Sequence, residues 1–324
     1  MSIHSEQVSF GRGGLQISRF GVGTAPLGGL FSAVPDAEVD SIITKGTQLG
    51  LTYFDTAPFY GSGSSERRVG KALGKVPRSA FRISTKVGRV LLPGKSDEPS
   101  HFFDLDPYTP VFDYTASGVR RSLEDSLTRL GLDSVDMLYI HDPDLYLDQA
   151  IGEAYPELDK MRSEGLVASI GVGTNLAEIG ARFVRETDID IALVAGRYTL
   201  LDQIALDEFL PLAMQRNVSV VGAGVFNSGV AVNPVPGATY NYAPASEEVI
   251  SRAQKIHEVI KPFGVSPAAV ALQFPLRHPA IKSVLAGVRT VQELEANVAD
   301  FDKEVPAQLW TELENLGLID PAHK

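Results

Sequence analysis

The sequence predicts an α/β fold, a (β/α)8 TIM barrel in which eight parallel strands are surrounded by helices. Short apolar runs alternate with amphipathic segments along most of the 324 residues, and this alternation is typical of a parallel sheet. Eight strand–helix units in a chain of this length favour closure into a barrel over an open sheet. No linker rich in proline, glycine or serine divides the chain, so we expect one barrel domain over residues 1–324.

A β-hairpin is predicted ahead of the barrel, because residues 7–18 alternate around Gly11, Gly13 and Gly14. The barrel strands are expected at 20–24, 52–55, 82–87, 135–141, 168–173, 191–195, 218–222 and 283–287. The helices are expected at 36–49, 65–73, 115–130, 147–164, 176–186, 207–216, 246–263 and 291–301, with an extra helix at about 267–276. Helix boundaries follow local signals: Asp36 precedes a helical pattern that ends at Gly50, and the apolar stripe over 119–130 ends at Gly131.

Two long loops, 90–114 and 226–245, interrupt the alternation after strands whose ends lie on one face of the barrel. Long connections without regular structure are often functional, so we expect their aromatic residues to wall a substrate pocket. The alternative is that they only cover the barrel rim. The aromatic residues are Phe102, Phe103, Tyr108, Phe112, Tyr240 and Tyr242.

Composition excludes several classes of site and partner. The 40 acidic and 29 basic residues give a net charge of −11, which argues against nucleic acid and anionic membranes as partners. The absence of cysteine excludes disulfides, thiol catalysis and cysteine-ligated metals. The N-terminus has no apolar signal-peptide core, and no apolar run approaches the roughly 18 residues of a membrane span. We therefore expect a cytoplasmic protein without membrane association.

Four polar residues follow or end three successive apolar runs. Asp55, Lys86 and His141 each end a predicted strand, and Tyr60 lies in the loop after Asp55. A parallel barrel gathers such strand ends on one face, where active sites of this architecture lie. We expect Lys86 to lower the pKa of the Tyr60 phenol from about 10, Asp55 to hold Lys86, and His141 to bind a substrate oxygen. No metal is expected, and Asp142 beside His141 is expected to face elsewhere.

The segments around these residues, YFDTAPFYGSGSSERRVGKAL, STKVGR and YIHDPD, resemble the aldo-keto reductases over about residues 18–302. The resemblance implies reversible hydride transfer with a nicotinamide cofactor, carried by the catalytic residues Asp55, Tyr60, Lys86 and His141. Further stretches, including AGRYTLLDQ and GATYNYAPA, resemble a branch that contains sugar dehydrogenases of the L-fucose or D-threo-aldose type and pyridoxal 4-dehydrogenase. The expected substrate residues are Phe59, Tyr60, Tyr108, His141, Tyr240 and Tyr242.

The same resemblance places a dinucleotide on the barrel itself, and no GxGxxG motif follows an early strand. Pyrophosphate is expected in the loops after the seventh and eighth strands, where backbone N–H groups suit phosphate. Asn175 and its neighbour are expected at the nicotinamide carboxamide, and Tyr198 is expected to stack on the nicotinamide ring. The expected cofactor residues are Thr24, Asp55, Thr174, Asn175, Tyr198, Gly224, Val225, Phe226, Asn227, Gly229, Gly287, Val288, Arg289, Glu293 and Asn297.

The residues at the adenosine end favour NAD over NADP. Glu293 occupies a position where NADP-preferring relatives often carry arginine or glutamine, and its carboxylate would repel a 2′-phosphate. Arg289 nearby would attract a phosphate. Asn297 fits the adenine-contacting asparagine of the family, but Ala296 replaces the glutamate that usually precedes it.

The resemblance leaves several functions open. The first is oxidation of the anomeric hydroxyl of an aldose, such as L-fucose, L-galactose or D-arabinose, to the lactone. The alternatives are pyridoxal oxidation to pyridoxolactone, NADPH-dependent aldehyde reduction, and a non-enzymatic nucleotide-binding regulatory role. The expected partner is a small molecule, and both a monomer and a homodimer are compatible with the sequence.

Overall fold

A computed structural model describes residues 2–95 and 100–321, and the description below concerns that part of the chain. Its strands are β1 (Gln7–Phe10), β2 (Leu15–Ser18), β3 (Phe20–Gly23), β4 (Tyr53–Asp55), β5 (Arg82–Val87), β6 (Arg89–Pro93), β7 (Tyr108–Phe112), β8 (Met137–His141), β9 (Ser169–Thr174), β10 (Ile191–Ala195), β11 (Ser219–Ala223), β12 (Thr239–Tyr240), β13 (Ala243–Pro244) and β14 (Ile281–Gly287). Its α-helices are α1 (Asp36–Gln48), α2 (Ser64–Leu73), α3 (Ala116–Leu130), α4 (Leu147–Gln149), α5 (Tyr155–Ser163), α6 (Ala177–Glu186), α7 (Phe209–Gln215), α8 (Glu247–Ile260), α9 (Pro267–Gln273), α10 (Val291–Phe301) and α11 (Ala307–Asn315).

Eight strands close a parallel barrel in the order β3, β4, β5, β8, β9, β10, β11 and β14, and β14 pairs back onto β3. This confirms the predicted (β/α)8 fold, with strand ends displaced by at most two residues. Apolar side chains on the outer face of the barrel pack against the helices, as Phe20 and Val22 of β3 do. The arrangement brings the carboxyl ends of all eight strands to one rim.

The N-terminal hairpin closes the opposite end of the barrel. Strands β1 and β2 pair antiparallel, and Phe10 and Ile17 join Tyr53, Tyr139 and other residues that fill the barrel interior. The Gly11 N–H donates to the Ser219 hydroxyl (3.1 Å) at the amino end of β11. The predicted hairpin is therefore confirmed, and it leaves only the carboxyl rim open for a site.

Two expectations about elements were wrong, and one helix was missed. The segment 147–164 is not one α-helix, because Pro156 lacks the N–H that a continuous helix requires, and a π-helix at Ala150–Ala154 separates α4 from α5. The loops 90–114 and 226–245 carry the hairpins β6–β7 and β12–β13, although residues 96–99 lie outside the described part. Helix α11 was not predicted, although Leu309 and Leu313 are buried at helical spacing.

Within the described ranges, no single helix is both long and apolar enough to cross a membrane. The segments Glu247–Phe263 and Pro267–Arg277 reach that length and composition only together, and they are bent by 104° relative to each other.

Candidate active site

The structure brings Asp55, Tyr60, Lys86 and His141 together at the carboxyl rim. Asp55 and His141 end β4 and β8, and Lys86 is the penultimate residue of β5. Tyr60 begins a 3₁₀ helix, Tyr60–Gly63, in the loop after β4. That loop lies against Gly28, where a Cβ atom would come within 2.8 Å of the Tyr60 carbonyl carbon. Gly28 therefore permits the backbone approach that places Tyr60 in the site.

Lys86 uses all three of its ammonium protons inside the protein. Its Nζ donates to Asp55 Oδ2 (2.7 Å), to the Thr56 carbonyl (2.9 Å) and to the Tyr60 hydroxyl (3.0 Å). The Lys86 side chain is 1% exposed, and a buried charge is stable only when it is paired and hydrogen-bonded in this way. Because Tyr60 accepts from Lys86, the phenol proton of Tyr60 is left to point towards another acceptor.

A chain of buried hydroxyls extends from Asp55 into the barrel interior. The Ser84 hydroxyl donates to Asp55 Oδ1 (2.7 Å) and lies 3.1 Å from the Tyr53 hydroxyl, which lies 3.3 Å from that of Tyr139. Burial raises the pKa of both Tyr53 and Tyr139, so both phenols keep their protons. The Ser84 hydroxyl has one proton and donates it to Asp55, so it must accept from Tyr53. Tyr53 in turn must accept from Tyr139, and the hydrogen bonds all point from Tyr139 towards Asp55.

The pKa of Tyr60 is shifted in the direction opposite to the one expected from Lys86. Burial raises this pKa well above its usual value, and the negative charge of Asp55 raises it further. This direction is opposite to the expected lowering, because the removal of water around the phenolate is the largest cause of the shift. The raised pKa favours the protonated phenol of Tyr60.

His141 is held neutral beside Tyr60. Burial lowers the pKa of His141 well below its usual value, and the charges of Arg89 and Lys86 lower it further. The rings of His141 and Tyr60 lie 5.8 Å apart and nearly perpendicular. The His141 Nδ1 atom is buried without a hydrogen-bond partner in the described chain. A neutral imidazole in this place can donate one hydrogen bond to a ligand.

Asp142 does not face away from the site as expected. Its carboxylate lines the same cavity, with Oδ2 3.4 Å from His141 Nε2 and 3.5 Å from Arg89 Nη2. The Asp142 backbone adopts a φ of 41°, which breaks the alternation of side chains along β8 and turns the carboxylate back towards the rim.

A cavity of about 580 Å³ opens above Tyr60 and His141. Phe59, Tyr108 and Tyr242 line it, as expected of substrate residues. Tyr240 does not line it, and its hydroxyl instead donates to Asp202 Oδ2 (3.3 Å). Phe102 lines it as expected of the loop aromatics, and lining residues that were not expected at the substrate include Leu30, Leu105, Asp142 and Asn175.

A second cavity of about 340 Å³ adjoins the first, and Tyr60 and Tyr242 line both. The expected cofactor residues that line it are Thr24, Asp55, Asn175, Gly224, Phe226, Asn227, Gly229, Gly287, Arg289 and Glu293. Thr174 lines the first cavity. The structure thus gathers most of the expected cofactor residues along one groove between the ends of β10, β11 and β14.

Four expected cofactor residues lie outside the walls of both cavities, namely Tyr198, Val225, Val288 and Asn297. The clearest disagreement is Tyr198, which is 2% exposed and packs its ring against Phe274 and His278. Its ring therefore lies in the core, so the stacking expected of Tyr198 was wrong in this geometry.

The lining of the second cavity has features that suit a dinucleotide. Asn227 is 3% exposed, yet its Oδ1 atom has no hydrogen-bond partner in the described chain. It begins a loop in which Asn227, Ser228 and Gly229 all have positive φ, a backbone that exposes polar groups to a ligand. Gly224 and Gly287, at the ends of β11 and β14, line this cavity. Both permit close packing within the protein, since a Cβ atom would lie 2.9 Å from the Gly196 nitrogen at the first and 2.7 Å from Pro26 Cγ at the second.

Two carboxylates accept hydrogen bonds from backbone N–H groups at the start of α10. The Val291 N–H donates to Glu38 Oε1 (2.8 Å), and the Arg289 N–H donates to Glu293 Oε2 (2.8 Å). Glu293 Oε1 also lies 3.5 Å from Arg289 Nη2. An anion at this helix start therefore meets two negative charges and an arginine that is already paired. In the described residues, no group of three or more His, Cys, Asp or Glu side chains is arranged to hold a metal ion.

Comparisons with known proteins show the family to which the chain belongs. Residues 19–317 match the model of the aldo/keto reductase family. The chain is 39% identical to a pyridoxal 4-dehydrogenase of Microbacterium luteolum, covering 97% of this chain and 98% of that one. It is 40% identical to a D-threo-aldose 1-dehydrogenase of a Pseudomonas species (94% and 96% covered) and 32% identical to an L-galactose dehydrogenase of Arabidopsis thaliana (96% and 89%).

Among solved structures, an aldo-keto reductase of Bacillus halodurans superposes with a TM-score of 0.80 over 99% of this chain and 98% of that one, at 23% identity. That likeness shows the shared fold. The matched family model and the relatives above 30% identity show more: the chain belongs to the aldo/keto reductase family and is an NAD(P)-dependent oxidoreductase.

Proposed function

We propose that Tyr60 transfers the proton, that Lys86 and Asp55 position it, and that His141 binds the reacting oxygen. The observation that carries this assignment is the use of all three Lys86 protons, one of them on Tyr60, which leaves the phenol proton free to face the 580 Å³ cavity. In oxidation Tyr60 receives the proton of a substrate hydroxyl, and in reduction Tyr60 donates it to the carbonyl oxygen. The neutral His141 ring donates to the same oxygen and orients it.

The second cavity is proposed to hold the dinucleotide. When bound, the nicotinamide supplies the hydride acceptor of oxidation and the hydride donor of reduction. Asn175 lies at the junction of the two cavities and is placed to bind the carboxamide. Asn227, Gly224 and Gly287 line the groove that would hold the pyrophosphate.

NAD is the proposed cofactor, and NADP is the alternative. A 2′-phosphate at the start of α10 would meet the carboxylates of Glu38 and Glu293, which already accept hydrogen bonds from backbone N–H groups at this helix start. A ribose 2′-hydroxyl, in contrast, can donate to the Glu293 carboxylate. Arg289 attracts phosphate only weakly while it is paired with Glu293.

We expect Glu293→Gln to raise kcat/KM with NADP by about tenfold and to leave kcat/KM with NAD within about twofold, because the change removes one negative charge near the phosphate. The amide oxygen can still accept from the Arg289 N–H. The matched control is Glu295→Gln on the outer side of the same helix, where Glu295 pairs with Lys45 (2.8 Å). Unchanged NADP kinetics in Glu293→Gln would contradict this cofactor assignment.

The rate of oxidation is expected to rise with pH from 7 to about 10, by up to tenfold per unit. Tyr60 must be a phenolate to accept a proton, and its pKa is raised, so the phenolate fraction grows with pH throughout this range. His141 stays neutral there because its pKa is lowered. The test is kcat/KM for oxidation against pH, with cofactor binding measured in parallel. A plateau below pH 8 would show that the Tyr60 pKa is lowered instead.

The proposed reaction is oxidation of the anomeric hydroxyl of an aldose to its lactone. The cavity combines hydrogen-bonding groups, His141, Asp142 and Asn175, with aromatic rings such as Phe59 and Phe102, a lining that suits a pyranose. Two relatives are named as an aldose dehydrogenase and a galactose dehydrogenase. The alternative is pyridoxal, also a cyclic hemiacetal, which is favoured by the aromatic wall and by the 39% identical relative.

The testing experiment is nicotinamide reduction by the purified protein with NAD and NADP separately. The substrates are L-fucose, L-galactose, D-arabinose, L-glucose and pyridoxal. Turnover of a sugar with NAD supports the proposal. Turnover of pyridoxal alone selects the alternative, and cofactor binding without turnover of any substrate rejects both.

A further inference from the structure

Asp142 presents an incompletely satisfied carboxylate to the substrate cavity. Its Oδ1 accepts one hydrogen bond, from Asn175 Nδ2 (3.2 Å). Its Oδ2 has only the long contacts to His141 Nε2 (3.4 Å) and Arg89 Nη2 (3.5 Å). A carboxylate has acceptor sites for about four hydrogen bonds, so this group, 18% exposed, retains acceptor capacity inside a ligand cavity.

The position of this carboxylate is fixed by the surrounding structure. The Asp142 N–H donates to the Gly173 carbonyl (2.9 Å). The buried Tyr114 hydroxyl shares its one proton between the carbonyls of His141 (2.6 Å) and Asp142 (2.9 Å). These bonds hold the backbone at a φ of 41°, which is rare outside glycine. Such a conformation persists only where its surroundings enforce it, and it is common at ligand sites.

The guanidinium of Arg89 supplies the positive charge that balances the Asp142 carboxylate. The guanidinium lies 4.1 Å from the centre of the Phe59 ring and 4.9 Å from that of Phe112, and this stacking keeps it from swinging into the cavity. Burial nevertheless raises the pKa of Asp142, the shift expected of a carboxylate with too few donors. A donor from the substrate would complete the hydrogen bonds of this carboxylate.

We infer that Asp142 determines substrate specificity by accepting a hydrogen bond from a hydroxyl on the carbon next to the reacting carbon. The inference rests on the proposed function, which places the reacting oxygen between Tyr60 and His141. Because Asp142 follows His141 directly, its carboxylate is close to that oxygen, and an ionised carboxylate accepts hydrogen bonds only from donors. In an aldose the neighbouring donor is the C2 hydroxyl. In pyridoxal the hydroxyl is one carbon further away.

The ligand class that this carboxylate selects is therefore an aldose with a free C2 hydroxyl. A site built to bind a hydroxyl discriminates strongly against a substrate that lacks it, because the buried acceptor is then left unpaired. We expect wild-type kcat/KM to fall about 100-fold from a sugar to its 2-deoxy form. Suitable pairs are L-fucose with 2-deoxy-L-fucose and D-arabinose with 2-deoxy-D-ribose.

The test compares wild type, Asp142→Asn and the exposed control Asp144→Asn on both members of a pair, with NAD binding measured for each protein. We expect Asp142→Asn to lose about 50-fold in kcat/KM on the sugar and about threefold or less on the 2-deoxy sugar. NAD affinity should change by no more than about threefold, because the amide oxygen can still accept the hydrogen bond of Asn175. Asp144→Asn should match wild type on both substrates.

If Asp142→Asn lost the same factor in kcat/KM on the sugar and on its 2-deoxy form, the inference would be overturned. Asp142 would then act through His141 and not through the C2 hydroxyl of the substrate. Similar wild-type rates on the sugar and its 2-deoxy form would overturn it as well, even if Asp142→Asn does not fold. Wild-type turnover of pyridoxal with no sugar turned over would reject the proposed aldose reaction and this inference together. Wild-type sugar turnover with no discrimination rejects the inference alone.

Discussion

Replacing Tyr60 by phenylalanine is expected to lower kcat by about 10³-fold or more in both directions, since positioned proton transfer contributes factors of this size. The phenylalanine keeps the ring contacts of Tyr60 with Phe102 (6.1 Å) and His141 (5.8 Å), so the cavity wall should survive. Only the hydroxyl that Lys86 contacts is lost. The measurement is steady-state turnover in each direction, together with cofactor binding, which should stay within about threefold of wild type.

Tyr155→Phe is the matched control for this change. The Tyr155 hydroxyl accepts from the Asp188 N–H (2.9 Å) at a position remote from the rim, so its removal should leave kcat unchanged. A Tyr60→Phe protein that keeps near-normal kcat would reject Tyr60 as the proton-transfer group. A loss of cofactor binding equal to the loss of kcat would assign Tyr60 to cofactor binding instead.

Lys86→Met is expected to abolish turnover and to lower stability as well. Removal of the ammonium leaves Asp55 buried at 3% exposure without its ion-pair partner, and breaking a buried pair from one side typically costs about 3–5 kcal/mol. The Tyr60 hydroxyl and the Thr56 carbonyl lose a donor at the same time. Thermal unfolding and steady-state kinetics measure the two effects separately.

The double variant Asp55→Asn/Lys86→Met separates stability from catalysis. It removes both charges, so most of the lost stability should return, while kcat stays at least about 10³-fold below wild type. The control Lys160→Met removes an exposed lysine and should change stability by no more than about 0.5 kcal/mol. Recovery of turnover in the double variant would contradict a direct role of Lys86 at Tyr60.

The barrel and its four central polar residues could be predicted from the sequence because both depend on local pattern. An apolar run of about four to six residues that ends in an ionisable side chain locates a strand and its end together. The parallel alternation then places these ends on one rim. The structure confirmed the strand limits within two residues, and Asp55, Lys86 and His141 lie where that reasoning put them.

The misplaced residues depend on features that have no sequence period. Strand alternation predicts that Asp142 points away from the side of His141, and only the left-handed backbone reverses this. Tyr198 lies beyond the end of β10, where neither helix nor strand spacing specifies the face on which a side chain is buried. The net pKa shift of Tyr60 depends on how much water the folded loops exclude, a quantity that neighbouring residue types do not reveal.

The directed hydroxyl chain from Tyr139 to Asp55 has a consequence for protein engineering. Its members are also core packing residues: Tyr53 and Tyr139 fill the barrel beside Phe10 and Ile17. Replacing both tyrosines by phenylalanine would be an obvious design for a drier, more thermostable barrel. In this protein such a redesign would also remove the two phenol hydroxyls whose hydrogen bonds polarise the Ser84 hydroxyl towards the Asp55 carboxylate. Thermostability and proton transfer would therefore be traded against each other deep inside the barrel, far from any residue that a substrate can touch.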